Sequence, residues 1–306
     1  INKNMQEKLI SLGLMSGTSG DGVDASLIET NGINQYKILK DKYFHYDSDI
    51  YQEIHNLKEK IRNLKDLKNF ASELRNLERK ITLFHAKIVQ EIDRNKQINI
   101  VGFHGQTIYH NSKEKISNQL GDGKLLAQLT KKNIIYNFRQ NDLKNGGEGA
   151  PLAPIFHNAL ANKIDKKFDL GFPINILNIG GISNITITVN ENDLWRKNNI
   201  YAFDIGPGNC LIDEWIRKNS KLKYDKEGLI ARSGNSDKLI LNQALENFSN
   251  TNDYKKSLDT KNFDIFFAKG LSLENGAATI TEFTAKLISD GINYAQDIKQ
   301  SSASKW

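Results

Sequence analysis

Cysteine is nearly absent from this chain: Cys210 stands alone among 306 residues. One thiol makes no intramolecular disulfide and no cysteine-based zinc site. That excludes a disulfide-stapled scaffold and fits a reducing cytoplasm. Long apolar runs are missing too. No stretch approaches the roughly 20 residues that cross a bilayer as a helix, so no membrane partner is expected. The opening Ile1-Asn2-Lys3-Asn4-Met5 is polar and holds no apolar core of a secretory signal. Ile1 is not an initiator, which leaves Met5 as a start or the chain as a fragment. Concentrated charge is also lacking. The net charge is +6, but the lysines are scattered, which argues against a nucleic-acid partner. What remains is a globular composition, 39% hydrophobic with a mean hydropathy of -0.52. At roughly 150 residues per domain, the length suits two domains.

Periodicity places the elements. Leu9 to Met15 reads as a buried strand and Val23 to Ile28 as its hairpin partner, with a third strand within Tyr36 to Phe44. Phe70, Leu74, Leu77, Ile81, Phe84, Ile88 and Ile92 recur at spacings of four and three, one face of an amphipathic helix. Ile98 to Phe103 is a strand, and a polar segment follows it. Asn133 to Phe138 precedes a loop over Arg139 to Pro151. Ile174 to Ile179 is a strand, and Ile185, Ile187 and Val189 alternate with threonines as a half-buried strand does. Tyr201 to Phe203 is a strand, Leu211 to Arg217 opens a helix, and Ala277 to Ile288 forms another. Residues 235–275 are polar with weak periodicity. Leu12 to Leu27 and Leu177 to Val189 share one pattern, strand, glycine turn and returning strand, as duplicated sheets on two sides of a cleft would.

Five stretches carry candidate chemistry. In Met15-Ser16-Gly17-Thr18-Ser19-Gly20-Asp21-Gly22-Val23-Asp24, glycines let a turn present backbone N–H groups to an anion, and Thr18 and Ser19 add hydroxyls. Asp21 and Asp24 are suited to a magnesium ion, directly or through water. An ordinary hairpin turn would look the same, and the Walker A pattern is absent. His104-Gly105-Gln106-Thr107 ends a strand, where ligand contacts or plain surface residues occur. Arg139 and Asp142 precede Gly146, Gly147 and Gly149, a combination that suits a polar ligand or a flexible linker. There the Arg fork matches a carboxylate. Gly180-Gly181 is a second turn of the phosphate-binding or plain hairpin kind. Asp204, before Gly206-Pro207-Gly208, suits a general base or a helix cap.

Taken in order, these stretches resemble the anhydro-N-acetylmuramic acid kinase family. The resemblance rests on Gly-Leu-Met-Ser-Gly-Thr-Ser at 13–19, Gly-Gln-Thr at 105–107, Gln-Leu-Gly-Asp-Gly at 119–123 and Gly-Ala-Pro-Leu-Ala-Pro at 149–154. Asn-Ile-Gly-Gly-Ile at 178–182, Asp-Ile-Gly-Pro-Gly-Asn at 204–209 and Lys-Ser-Leu-Asp at 256–259 complete it. It implies an α/β, two-lobed actin-like ATPase (RNase H-like) fold, each lobe a mixed β-sheet with flanking helices. The lobes would be residues 1–140, with the first phosphate turn and part of the sugar site, and 141–306, with the second phosphate turn and the catalytic Asp. It implies ATP and Mg²⁺ as cofactors and a cytoplasmic homodimer. The reaction would turn 1,6-anhydro-N-acetylmuramic acid, water and ATP into N-acetylmuramic acid 6-phosphate and ADP, in peptidoglycan recycling.

Residue by residue, the family's base maps onto Asp204 and its nucleotide-phosphate segment onto Gly17, Thr18, Ser19, Gly20, Asp21, Gly22, Val23 and Asp24. Gly180 and Gly181 form the second phosphate turn, and Asp21 is the candidate metal contact through water. His104, Gln106, Arg139 and Asp142 are the expected sugar contacts. Gly20 departs from the family's usual Leu, and Glu148 from its usual Gln. Family members also continue past residue 306 with a glycine-rich adenosine-binding stretch, so a truncated chain that binds sugar alone stays open, as does another sugar kinase of the same superfamily.

Overall fold

The computed structural model describes residues 8–188, 200–249, 254, 257–258 and 260–303. Of the residues singled out above, Ile1 to Met5, Val189, Lys256 and Asp259 lie outside the described residues. The chain divides into two compact units, one ending at Ala150 and the other beginning at Pro151.

The first unit opens with three antiparallel strands, β1 (Leu9–Met15), β2 (Gly22–Thr30) and β3 (Tyr36–His45). Helices α1 (Ser48–Lys60), α2 (Leu64–Asn69) and α3 (Ala71–Ile92) follow. β4 (Ile100–Phe103) then returns parallel to β1. β5 (Gln106–Asn111) and β6 (Ile116–Leu120) form a separate hairpin, and α4 (Gly123–Thr130) leads to β7 (Asn133–Tyr136), parallel to β4. The main sheet runs β3-β2-β1-β4-β7. α5 (Phe138–Lys144) and the glycine loop after it close the unit.

The alternation of β1 and β2 is what builds this core. Leu12, Leu14, Val23, Ala25 and Leu27 turn to one face and pack against Ile50, Ile54 and Leu57 of α1 and Leu74, Leu77, Ile81 and Ile88 of α3. Each fully buried aliphatic side chain contributes about 1.5–3 kcal/mol of transfer free energy. α3 starts one residue after Phe70, and Phe70 and Phe84 are only partly buried on its stripe. Two sequence expectations change here. The polar segment after β4 contains the β5–β6 hairpin and α4, whose N-cap Asp122 accepts from the N–H groups of Lys124 and Leu125. The loop expected from Arg139 begins as helix, because α5 buries Leu143.

The second unit starts with α6 (Pro154–Phe168), with Pro at its first position. A three-stranded antiparallel sheet follows, β8 (Asn175–Ile179), β9 (Ile182–Ile187) and β10 (Tyr201–Pro207), in the order β10-β9-β8. It repeats the antiparallel order β3-β2-β1 of the first unit. The helices are α7 (Cys210–Asn219), α8 (Leu229–Ser233), α9 (Lys238–Ser249) and α10 (Leu273–Ala303). α9 lies inside the segment whose periodicity is weak. Its Leu241 and Ala244 nevertheless join Leu211, Trp215 and Ile216 of α7 and Ala277, Ile280, Phe283 and Leu287 of α10 in one core. Trp215 donates its indole N–H to the Leu273 carbonyl at 2.9 Å, so its polar edge is satisfied inside that core. Among the described residues, no helix is long and apolar enough to cross a membrane.

Candidate active site

The first glycine turn joins β1 to β2, with Met15 facing Asp24 on the ladder. Its carbonyls are held from the protein side. Gly17 O accepts from Gln106 Nε2 at 3.0 Å and from the Gly20 N–H at 3.2 Å. Thr18 O accepts from Lys58 Nζ, and Asp21 O from the Tyr46 N–H at 2.9 Å. In a planar trans peptide the N–H points opposite to the C=O. The N–H groups of Thr18 and Ser19 therefore face away from Gln106 and Lys58, beside two exposed hydroxyl side chains. Two N–H groups freed in this way, if they converge, are what an anion-binding nest requires. Two glycines are required sterically. Gly20 sits at φ +70°, and a Cβ on Gly22 would lie 2.2 Å from the Phe44 carbonyl oxygen.

Carboxylates gather at the end of the same turn. Burial, followed by the charges of Asp21 and Asp24, pushes the Tyr43 hydroxyl up to about 12. Partial burial also raises the Asp24 carboxyl above its ordinary value. An all-oxygen set of this kind fits a hard, hydrated divalent cation. No cluster of three or more His, Cys, Asp or Glu side chains that could hold a metal ion occurs among the described residues.

The four expected sugar contacts fall into two groups. Gln106, fully buried, opens β5. Because the Gly17 carbonyl can only accept, the amide nitrogen faces the turn, and Oε1 is left buried with no hydrogen-bond partner. His104, Arg139 and Asp142 form the second group. His104 Nδ1 lies 2.7 Å from Gly105 O, so Nδ1 carries the proton and Nε2 accepts from Arg139 Nε at 3.0 Å. Burial first and the Arg139 charge second lower the His104 pKa to about 4, which keeps the ring a neutral acceptor. Arg139 Nη1 donates to Gly149 O at 3.0 Å, and the Gly149 N–H donates to Asp142 Oδ2 at 2.8 Å. Asp142 therefore works on the glycine loop. Gly147 lies so close to its carboxylate that a Cβ would approach to 2.1 Å. Glu148 is exposed on this loop.

In the second unit, the carbonyls of Gly180 and Gly181 receive the N–H groups at the start of α7. Gly208 N and Cys210 N donate to Gly181 O at 2.9 and 3.3 Å, and Asn209 N donates to Gly180 O at 2.7 Å. Gly208 is needed for this approach, since its Cβ would meet Gly180 O at 2.2 Å. Asp204 lies on β10 opposite Asn184, and the strand bulges between Asp204 and Gly206. It is 5% exposed. Its Oδ2 accepts from the Leu258 N–H at 2.8 Å and from Ser257 Oγ at 3.4 Å. The N-cap of α7 is Asn209. Asp204 is thus a buried carboxylate positioned by a bulge and by a distant segment. Cys210 is chemically quiet: burial pushes its thiol up to about 12.

Sequence reasoning named Ser16 only as part of the first stretch and missed its partners Tyr46 and His85 beneath the turn, and the contact of Ser257 and Leu258 with Asp204. The Lys-Ser-Leu-Asp stretch was the available signal for the latter.

The main-sheet order β3-β2-β1-β4-β7, with β2 alone antiparallel to both its neighbours, and its partial repeat in the second unit define an α/β kinase fold of the actin, Hsp70 and sugar-kinase type. The family model for anhydro-N-acetylmuramic acid kinase matches residues 9–302. An anhydro-N-acetylmuramic acid kinase of Pelagibacter ubique is 52% identical over 293 residues, 94% of this chain and 76% of that protein. Those of Zymomonas mobilis and Brucella suis are 38% and 35% identical, covering 94% and 91% of this chain and 77% and 74% of their own lengths. The chain belongs to the anhydro-N-acetylmuramic acid kinase family.

Proposed function

We propose that this chain phosphorylates 1,6-anhydro-N-acetylmuramic acid with ATP and water, giving N-acetylmuramic acid 6-phosphate and ADP, as a cytoplasmic step of cell-wall recycling. The observation that carries the reading is Asp204, a buried carboxylate held through Oδ2 by Leu258 and Ser257, in a chain of this family. Asp204 takes a proton from water as the water oxygen bonds to C1 of the sugar. The C1–O6 bond breaks, O6 bonds to the γ-phosphorus, and the bond from that phosphorus to ADP breaks. A base of this kind contributes about 10²–10⁴-fold, and positioning supplies much of the rest.

The remaining roles follow the two units. The first lobe carries the turn Gly17 to Asp24 for nucleotide phosphates, and the second lobe carries Gly180 and Gly181 for the same purpose. Carbonyls held inward at Gly17 and Thr18 support the first assignment. Asp21, with Asp24 near it, would hold Mg²⁺ through water. When bound, that ion neutralises phosphate charge. Gln106 is assigned to the sugar by its place in the Gly-Gln-Thr motif, and its amide, fully buried, holds the Gly17 carbonyl of the turn. His104 and Gly149 orient the Arg139 guanidinium, which supports its assignment to the lactyl carboxylate, and Asp142 braces the loop beside it. A homodimer is the proposed assembly.

The test is sugar-dependent ADP release by this 306-residue chain, with ATP, magnesium and the anhydro sugar, and the product weighed. A product heavier by one phosphoryl group and one water supports the assignment. Release driven equally by N-acetylglucosamine, which lacks the lactyl group, would move it to another sugar kinase. Sugar binding without nucleotide binding would reduce the chain to a sugar binder.

A further inference from the structure

Beneath the first glycine turn lies a chain of buried hydrogen bonds to which the chemistry above gives no role. Ser16, 1% exposed, is the first residue after β1. Its Oγ lies 2.8 Å from the Tyr46 hydroxyl and 3.4 Å from His85 Nε2. His85, fully buried on α3, has Nδ1 2.8 Å from the Ile81 carbonyl. The directions are fixed by elimination. A carbonyl only accepts, so Nδ1 carries the proton and Nε2 is an acceptor. The Ser16 hydroxyl then donates to His85, and the Tyr46 hydroxyl donates to Ser16. Burial lowers the His85 pKa to about 4, so the chain is uncharged near neutrality.

Tyr46 touches the turn a second time. Its backbone N–H donates to Asp21 O at 2.9 Å. One residue thus holds both ends of the turn, Ser16 through its side chain and Asp21 through its main chain. The phenol ring is anchored independently, 5.0 Å from Phe84 between centroids.

We propose that Tyr46, acting through Ser16 with His85 as the terminal acceptor, is a positioning residue that pre-sets the phosphate-binding turn. The proposal rests on the nucleotide assignment of that turn, and it makes Ser16 the movable end that the hydroxyl of Tyr46 locks. Such a lock stabilises the ligand-ready turn before nucleotide arrives, so its loss shows in nucleotide affinity and not in sugar affinity.

Tyr46→Phe removes the side-chain bond and keeps both the ring contact and the N–H bond to Asp21. A buried neutral hydrogen bond is worth about three- to tenfold in an equilibrium constant. Two readouts are taken on the full chain. Hydrogen exchange of the amides from Ser16 to Gly22, without nucleotide, should quicken by that factor, while the β1–β4 ladder amides keep their rates. The KM for ATP should rise by the same factor with the KM for the sugar unchanged. His85→Leu should act like Tyr46→Phe, and His85→Gln, whose amide oxygen restores an acceptor, should recover much of the effect. Unchanged turn exchange in both Tyr46→Phe and His85→Leu overturns the proposal, as does a slowdown in turnover with both KM values moving together. Faster turn exchange with an unmoved KM for ATP supports the positioning role and instead removes the nucleotide assignment of the turn.

Discussion

Acid should weaken the first unit through histidines buried without charge, and His85 allows the effect to be sized. In the folded chain its pKa is lowered from 6.5 to about 4 by burial, with the bond to Ile81 opposing. The unfolded chain therefore binds a proton below about pH 6.5 that the folded chain refuses until about pH 4. Stability from this group is complete above the unfolded value, falls as pH drops through it, and levels off below the folded value. Between about pH 7 and about pH 5 the loss integrates to about 2 kcal/mol. For a domain of this size that is a fall in Tm of about 4–8 °C. His104, lowered to about 4 by burial and Arg139, adds a term of the same sign. Thermal unfolding of the wild type and of His85→Gln at both pH values isolates the first term, because glutamine does not titrate. The wild type should lose about 2 kcal/mol more than the variant over this interval. An equal loss in both proteins would refute the reasoning, since His85 would then bind protons alike in the folded and unfolded chain.

Three further outcomes are expected. Asp204→Asn should cut turnover by about 10²–10⁴-fold and leave sugar affinity within about tenfold, measured by ADP release and sugar titration; retained turnover removes Asp204 as the base. Gly22→Ala places a Cβ 2.2 Å from the Phe44 carbonyl, so β2 and β3 must part. A loss of about 1–3 kcal/mol on denaturant unfolding, with weaker ATP binding, is the expected result. Arg139→Lys gives up the fork that joins His104 to Gly149, and a lysine supplies one point charge instead. Selectivity for the lactyl-bearing sugar over N-acetylglucosamine should fall by about tenfold or more, read as a ratio of kcat/KM values.

Much of the fold was legible because it rests on local period. Leu12, Leu14, Val23 and Leu27 alternate and turn to the core as β1 and β2. The four-and-three spacing from Leu74 to Ile92 is α3. The hairpin β5–β6 was not legible. Its Thr107, Ser117 and Gln119 are polar and bond to one another, so no apolar alternation announces it. α9 escaped for a related reason: among its described residues only Leu241 and Ala244 are buried, too few to mark a stripe.

The glycines, Gln106, Arg139 and Asp204 stand out in the sequence by type and order, and the motifs they form are enough to place the chain in its family. Their partners do not stand out. Gln106 reaches Gly17 across 89 residues, and Leu258 reaches Asp204 across 54. No spacing rule links positions so far apart. Folding alone decided that His104 is neutral, that the Gln106 oxygen faces inward without a donor, and that Tyr46 holds both ends of the turn. Residue identity and period are local properties that the linear chain carries. Burial, tautomer and hydrogen-bond direction arise only when distant segments exclude water together.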